Sequence, residues 1–356
     1  MKGLVLSGGK GSRLRPLTYT GAKQLVPIAN KPILFYAIED LVEAGIRDIT
    51  IVVSPETGGQ VREAAGSGER FGARISYIEQ PQPGGIAQAV GLAREAMTGA
   101  PFVTFLGDNF LTHGITSHVQ AFEASGADAG ILLRHVEDAR EFGVAQFEGE
   151  RLVRVVEKPA EPPSDLAVIG IYFFTPRVFD AIAAIKPSAR GELEIAETIQ
   201  WLLDAGANVS ADVIDGGWID TGKHDDLLAA NRMILETLPR DVSGGAVDPS
   251  SKLHGAIVLQ DGCEIIDSVI DGPAIIGEGT RIERARIGPF TSIGSGCRIV
   301  ESDIAGSVVM EGTVIERVGQ RIEGSLIGRD VEVRGSGETS GGYQIVLGDF
   351  SRLRVP

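Results

Sequence analysis

Cysteine is scarce in this chain: Cys263 and Cys297 stand alone, with no CxxC spacing. That excludes a disulfide framework and a cysteine-rich zinc site, and it suits a reducing cytoplasm. Positive charge is short too. Lys and Arg number 33 against 48 Asp and Glu, a net charge of −15. A nucleic-acid binder needs a basic stripe, and an anionic membrane surface repels such a chain, so neither partner is expected. Long apolar runs are missing as well. Nothing reaches the roughly 18 residues that would predict a bilayer span, and Gly8 and Gly9 interrupt residues 1–9 before they could form a signal-peptide core. Glycine, by contrast, is abundant at 47 residues. With 356 residues, 43% hydrophobic and 23% charged, the composition fits a soluble chain of about two domains with a sizeable core.

The charge is uneven. Residues 1–38 hold six cations (Lys2, Lys10, Arg13, Arg15, Lys23, Lys31) and no acid, which leaves −21 on the remainder. A cationic end on an anionic protein suits a small polyanionic ligand, attracted where it binds and repelled elsewhere.

Periodicity divides the chain. Up to about residue 237, short apolar runs alternate with helical patterns. Strands are expected at Gly3–Leu6, Ile49–Val53, Arg74–Ile78, Phe102–Leu106, Ala129–Arg134, Val144–Phe147, Leu152–Glu157, Val168–Phe174 and Val209–Ile214. Helices are expected at Pro32–Ala44 (capped by Asn30), Gly85–Met97, Arg177–Ile185, Glu192–Ala205 and His224–Glu236. This β-α-β alternation predicts an α/β domain over 1–237 with a mostly parallel sheet covered on both faces. Residues 238–250, with Pro239, Gly244, Gly245 and Pro249, read as a linker. Beyond them, over 251–356, aliphatics recur every six residues: Ile276 and Ile282; Ile287, Ile293 and Ile299; Val309 and Ile315. One inward aliphatic per six residues marks a hexapeptide β-helix of four or five coils, with glycine easing its corners. The five-residue step from Ile282 to Ile287 reads as an imperfect register.

The first strand runs into Ser7-Gly8-Gly9-Lys10-Gly11-Ser12-Arg13-Leu14-Arg15-Pro16. The dinucleotide pattern GxGxxG fails because position 14 is Leu, and GxxxxGK[ST] is absent. What remains is a glycine-rich loop whose backbone N–H groups can form an anion nest, with Arg13 offering a planar guanidinium to phosphate oxygens. A plain glycine turn is the alternative.

Residues Gly8 to Thr18, followed by Ala22-Lys23-Gln24-Leu25-Val26-Pro27-Ile28-Ala29-Asn30-Lys31-Pro32, closely resemble the sugar-1-phosphate nucleotidylyltransferases. Within that family they are most similar to members using dTTP and glucose 1-phosphate, in a longer form. The resemblance implies a Rossmann-like domain followed by a left-handed parallel β-helix. It also implies transfer of a nucleotidyl group to glucose 1-phosphate, giving dTDP-glucose and pyrophosphate for deoxysugar synthesis. It assigns Mg²⁺ to Asp108, in Leu106-Gly107-Asp108-Asn109, and to Asp220, in Gly217-Trp218-Ile219-Asp220-Thr221-Gly222. The nucleotide falls to Leu6, Gly8, Gly9, Gly11, Ser12, Arg13, Gln80 and Gly85. The sugar phosphate falls to Gly143, Glu157, Lys158 and Tyr172. Arg13, Lys23, Asp108 and Lys158 are assigned the chemistry. Ser7 stands where many relatives carry alanine.

Taken alone, several of these segments have plainer readings. Gly-Asp-Asn is also a turn, Asp220 could cap the helix that follows, Glu157-Lys158-Pro159 could be a surface turn, and residues 80–89 could be a Pro/Gly turn. UTP- or GTP-dependent members, a bifunctional acetyltransferase and a silent nucleotide-sugar sensor remain alternatives. The β-helix is expected to serve assembly or regulation in a homo-oligomer, through its flat sides.

Overall fold

In the computed structural model, residues 1–335 and 344–355 are described. The chain forms two compact units, one of Met1–Gly9 with Leu34–Trp218, the other of Lys10–Ile33 with Ile219–Pro356. The division therefore falls inside the glycine loop, between Gly9 and Lys10, and not at the stretch expected as a linker.

The first unit is built on a nine-stranded sheet: β1 (Lys2–Ser7), β2 (Asp48–Val53), β3 (Arg74–Glu79), β4 (Phe102–Leu106), β5 (Ala129–His135), β6 (Gly143–Glu148), β7 (Arg151–Glu157), β8 (Leu166–Phe174) and β9 (Val209–Val213). The main path runs β7-β6-β8-β4-β1-β2-β3, with β5 paired to β8 and β9. Pairing is parallel among β4, β1, β2 and β3 and between β5 and β9, and antiparallel wherever β6, β7 and β8 meet other strands. The sheet is thus mixed. A parallel crossover needs a dozen or more residues. Only Gly149 and Glu150 separate β6 from β7, so these two can pair only as a hairpin.

The helices are α1 (Ile33–Glu43), α2 (Gly58–Ala65), α3 (Ile86–Leu92), α4 (Arg94–Met97), α5 (Thr116–Ser125), α6 (Val178–Ala184), α7 (Ile195–Asp204) and α8 (His224–Thr237). The single helix expected over Gly85–Met97 is broken at Ala93. Two helices carry almost no sequence signal. α2 opens on two glycines, and α5 buries only Val119 and Phe122. The core centres on Phe102, which packs against Phe174 and Phe179 at 5.8 Å each.

The second unit holds a hairpin (Pro27–Ile28 with Lys31–Pro32), α8 and three sheets of parallel strands. The sheets form the walls of a parallel β-helix. Ile265, Ile282, Ile299, Ile315 and Val333 pair one above the next, at steps of 17, 17, 16 and 18 residues. All five are fully buried. The five-residue step recurs from Ile265 to Ile270 and from Ile299 to Ile304. At that corner Asp267, Arg284 and Glu301 adopt left-handed φ of 45°, 45° and 47°. The short step is confined to these three coils: it is six residues from Val247 to Leu253, and seven from Ile315 to Ile322 although Arg317 is also left-handed at φ 54°. The first of these walls begins at Gly245–Val247, paired with Cys263–Ile265. Residues 245–247 of the stretch expected as a linker are therefore strand. Asn30 does not cap α1; it sits in the hairpin turn with φ 61°.

Candidate active site

Two strand ends set the first cluster. Leu6 of β1 is in register with Leu106 of β4, so Ser7-Gly8 and Gly107-Asp108 leave the sheet side by side at its carboxyl edge, where open α/β sheets bind ligands. Gly107 is tightly enclosed, since a Cβ would lie 3.1 Å from the Leu6 carbonyl oxygen and 3.1 Å from Leu34, and its neighbours would have to give. The half-buried Asp108 is held by its neighbour. Asn109 Nδ2 donates to Asp108 Oδ1 at 3.2 Å, and Trp218 Nε1 donates to Asn109 Oδ1 at 2.6 Å. Asn109 is 1% exposed, so this relay fixes the carboxylate.

Gln80, which follows β3, reaches the same edge. A Cβ at position 8 would lie 2.4 Å from Gln80 Oε1, so Gly8 is what admits the amide. Gln80 Nε2 in turn donates to Gln88 Oε1 at 2.8 Å, from the first turns of α3. Gly85 adopts φ 96° and leaves its missing Cβ 2.4 Å from the Leu193 carbonyl oxygen. Leu193 N–H donates to Gly84 O at 2.8 Å. The 80–88 loop is thereby pinned to the segment carrying Arg190 and Glu194.

That segment completes a third corner. Glu157, at the end of β7, is in register with Gly143. Arg190 Nη2 lies 3.2 Å from Glu157 Oε1 and 2.8 Å from Glu194 Oε2, and Lys158 Nζ lies 3.9 Å from Glu157. Lys158 has a left-handed φ of 42°, and its N–H donates to Phe142 O at 2.9 Å. Burial, and then the Glu194 charge, hold the Glu157 carboxyl above its ordinary range, against the opposing pull of Lys158 and Arg190. Tyr172, expected at the sugar phosphate, is instead 4% exposed, and its ring stacks on Phe174 in the core. Both side chains project from the same buried face of β8, and helices cover that face.

The raised Glu157 carboxyl has a measurable consequence. Its native form binds its proton more tightly than the unfolded form does, so stability falls as pH rises above the ordinary carboxylate range. Glu157→Gln should match the wild type at acid pH and gain in relative stability toward neutrality. Denaturant midpoints across that range test it, and a difference that does not vary with pH would refute the shift.

In the second unit, Gly11 adopts φ 60°, and its missing Cβ would lie 2.8 Å from Lys23 Cβ. Thr18 Oγ1 closes the loop by donating to Gly11 O at 2.7 Å. Ser12 and Arg13 lie in the exposed turn that follows. The Arg13 guanidinium rests against Gly222, where a Cβ would be 2.9 Å from Arg13 Nη2 and 3.5 Å from Asp220 Oδ1. Arg13, Lys23 and Asp220 are thus gathered in one unit. Leu6, Gly8, Gly9, Gln80, Gly85, Asp108, Gly143, Glu157 and Lys158 belong to the other. Asp220 does not cap α8; the Lys223 N–H that opens the helix donates to Asp226 Oδ2 at 2.9 Å.

The sequence profile of the nucleotidyl transferase family matches residues 2–237. The chain belongs to the nucleotidyl transferase family. It is 45% identical to a glucose-1-phosphate thymidylyltransferase of Streptomyces griseus, over 100% of this chain and 99% of the relative. It is 47% identical to one of Streptomyces antibioticus with the same coverage. A solved structure of a Bacillus anthracis protein assigned as a glucose-1-phosphate thymidylyltransferase, in complex with sucrose, is 40% identical with a TM-score of 0.62, covering 65% of this chain and 94% of its own.

For a nucleotidyl transferase the donor set is telling. Among the described residues no group of three or more His, Cys, Asp or Glu side chains gathers as a ready metal cage. Asp108 and Asp220 offer hard carboxylate oxygens, two in kind. That fits Mg²⁺, which takes one or two carboxylates and completes its shell with waters and substrate phosphates. Sequence reasoning missed Asn109 and Trp218 as holders of Asp108, and the direct Arg190 contact to Glu157. Only folding brings residues 190 and 157 together, and no short motif records that.

Proposed function

We propose that this chain transfers a thymidylyl group from dTTP to glucose 1-phosphate, releasing pyrophosphate and forming dTDP-glucose. The observation that carries this reading is end-to-end identity of 45% and 47% with two glucose-1-phosphate thymidylyltransferases. A phosphate oxygen of the sugar attacks the α-phosphorus, the bond from that phosphorus to the bridging oxygen breaks, and pyrophosphate leaves with the electron pair. The nucleophile is already an anion, so no general base is needed, and the work is positioning and charge neutralisation.

Arg13 presents its fork to the triphosphate, and Lys23 neutralises phosphate charge beside it. Lys158 holds the sugar phosphate, while Glu157 and the Gly143 N–H take sugar hydroxyls. Gln80 offers one donor and one acceptor to the edge of a pyrimidine. Mg²⁺, held by Asp108 and Asp220, would supply neutralisation of phosphate oxygens. No cysteine serves as a nucleophile, because both are buried in the β-helix and burial pushes the Cys297 thiol up to about 12. Two buried, unpaired cysteines suit a cytoplasmic enzyme, and the flat walls of the β-helix offer surfaces for a homo-oligomer.

Pyrophosphate release with ATP, CTP, GTP, UTP and dTTP, each against several hexose 1-phosphates and Mg²⁺, tests the reading. Fastest turnover is expected with dTTP and glucose 1-phosphate. Preference for UTP or GTP would replace the base assignment, and no release with any pair would favour a nucleotide-sugar sensor.

A further inference from the structure

The loop carrying Arg13 and Lys23 ends in a hairpin that should not hold itself together. Pro27–Ile28 pairs with Lys31–Pro32 around a two-residue turn, Ala29-Asn30. Isolated two-stranded hairpins are marginal in water, and here each strand has two residues. Both turn residues are left-handed, at φ 47° and 61°. Such a turn favours Asn followed by Gly; an alanine in it is strained, and strain of this kind persists only where surroundings impose it.

The surroundings are α8 and the β-helix. Asn231, in the middle of α8, is 1% exposed. Its Oδ1 accepts from the Ala29 N–H at 2.9 Å and from Ser292 Oγ at 2.6 Å. Its Nδ2 donates to Phe290 O at 3.1 Å. Asn30 Nδ2 donates to Ile293 O at 2.7 Å, and Arg329 Nη2 donates to Leu25 O at 3.2 Å. Arg232, next to Asn231, lies over the Phe290 ring at 3.9 Å. From the hairpin the bonding runs straight back to the cation. Ile33 N–H donates to Val26 O, and Val26 N–H donates to Lys23 O at 3.2 Å.

We infer that Asn231 is a positioning residue for nucleotidyl transfer, locking the Ala29-Asn30 turn onto β-helix residues 290–293 and so fixing Lys23 and the loop behind it. Resting on the proposed reaction, this gives the β-helix a part in the chemistry beyond assembly. Asparagine suits the post because one amide supplies both the acceptor and the donor that the turn and the coil require.

The test uses the full chain. Asn231→Ala should lower kcat with dTTP and glucose 1-phosphate about tenfold or more, as expected when reacting groups lose alignment. KM for glucose 1-phosphate should stay within about twofold, since Glu157 and Lys158 are untouched. Amide exchange at Ala29 should accelerate. Ser268→Ala is the control. It removes a buried β-helix hydroxyl that bonds Ile266 O at 2.7 Å and the Ala285 N–H at 3.1 Å. It should cost stability while leaving kcat within about twofold. If Asn231→Ala fails to fold, Ser292→Ala removes one bond of the hub and should give a smaller loss in the same direction. Unchanged kcat, or an equal loss in Ser268→Ala, would overturn the inference. A wild type that releases no pyrophosphate would instead sink the proposed reaction, and Ala29 exchange would still report on the clamp.

Discussion

Asp108→Asn should lose about a hundredfold or more in kcat, the scale of a deleted transition-state contact, with the unfolding midpoint unchanged. The substitution keeps size and shape. Asn109 Nδ2 now donates to Asp108 Oδ1, and an asparagine side chain has an oxygen that can accept the same bond. What disappears is the formal charge and with it the hard anionic donor for a divalent cation. The competing reading of Gly107-Asp108-Asn109 is a turn, and asparagine is as good a turn residue as aspartate. The two readings therefore diverge completely. A structural Asp108 predicts wild-type turnover, and a metal-holding one predicts near silence together with a higher Mg²⁺ requirement for what remains. Pyrophosphate release at saturating substrates, titrated with Mg²⁺, decides between them.

How much of this was legible in the sequence depends on how local the cause is. β1, β2 and β4 are short, largely apolar runs, and expectation and structure agree there within a residue or two. The β-helix announced itself through isoleucine spacing, because each coil repeats the same inward position. Its five-residue corner looked like noise in one copy and showed as a repeated feature of three coils only when Asp267, Arg284 and Glu301 were seen in one backbone conformation. What stayed hidden is long-range. β6 and β7 pair as a hairpin because only two residues join them, and β8 runs antiparallel to β4, β5 and β6, pairings that apolar patterning does not weigh. The two-unit division falls within the glycine loop because residues 10–33 take their packing from α8 and the coils, not from β1, to which they are joined. Tyr172 sits in a family-like motif, yet neighbours across the strands draw its ring into the core.

Gly85→Ala should be the most damaging single-methyl change in the first unit. Two costs combine. At φ 96° an alanine is strained, and its Cβ would stand 2.4 Å from Leu193 O and 2.9 Å from Leu193 N. These are backbone atoms, so no rotamer change relieves the clash. Strain and overpacking together come to on the order of 3–5 kcal/mol. Gly99→Ala separates the two. Its φ is 87°, with nothing within 4 Å of the added carbon, so it should cost about 1–2 kcal/mol, the left-handed penalty alone. The functional result follows from what the junction joins. On one side Gln88 holds Gln80; on the other, Arg190, itself paired with Glu194, holds Glu157. Prying Leu193 from Gly84-Gly85 disturbs both, so KM should rise for dTTP and for glucose 1-phosphate alike, about tenfold each by lost alignment. Gln80→Ala, by contrast, should raise KM for dTTP alone. If Gly85→Ala is no less stable than Gly99→Ala, or if only one KM moves, the Gly85–Leu193 junction does not couple base and sugar.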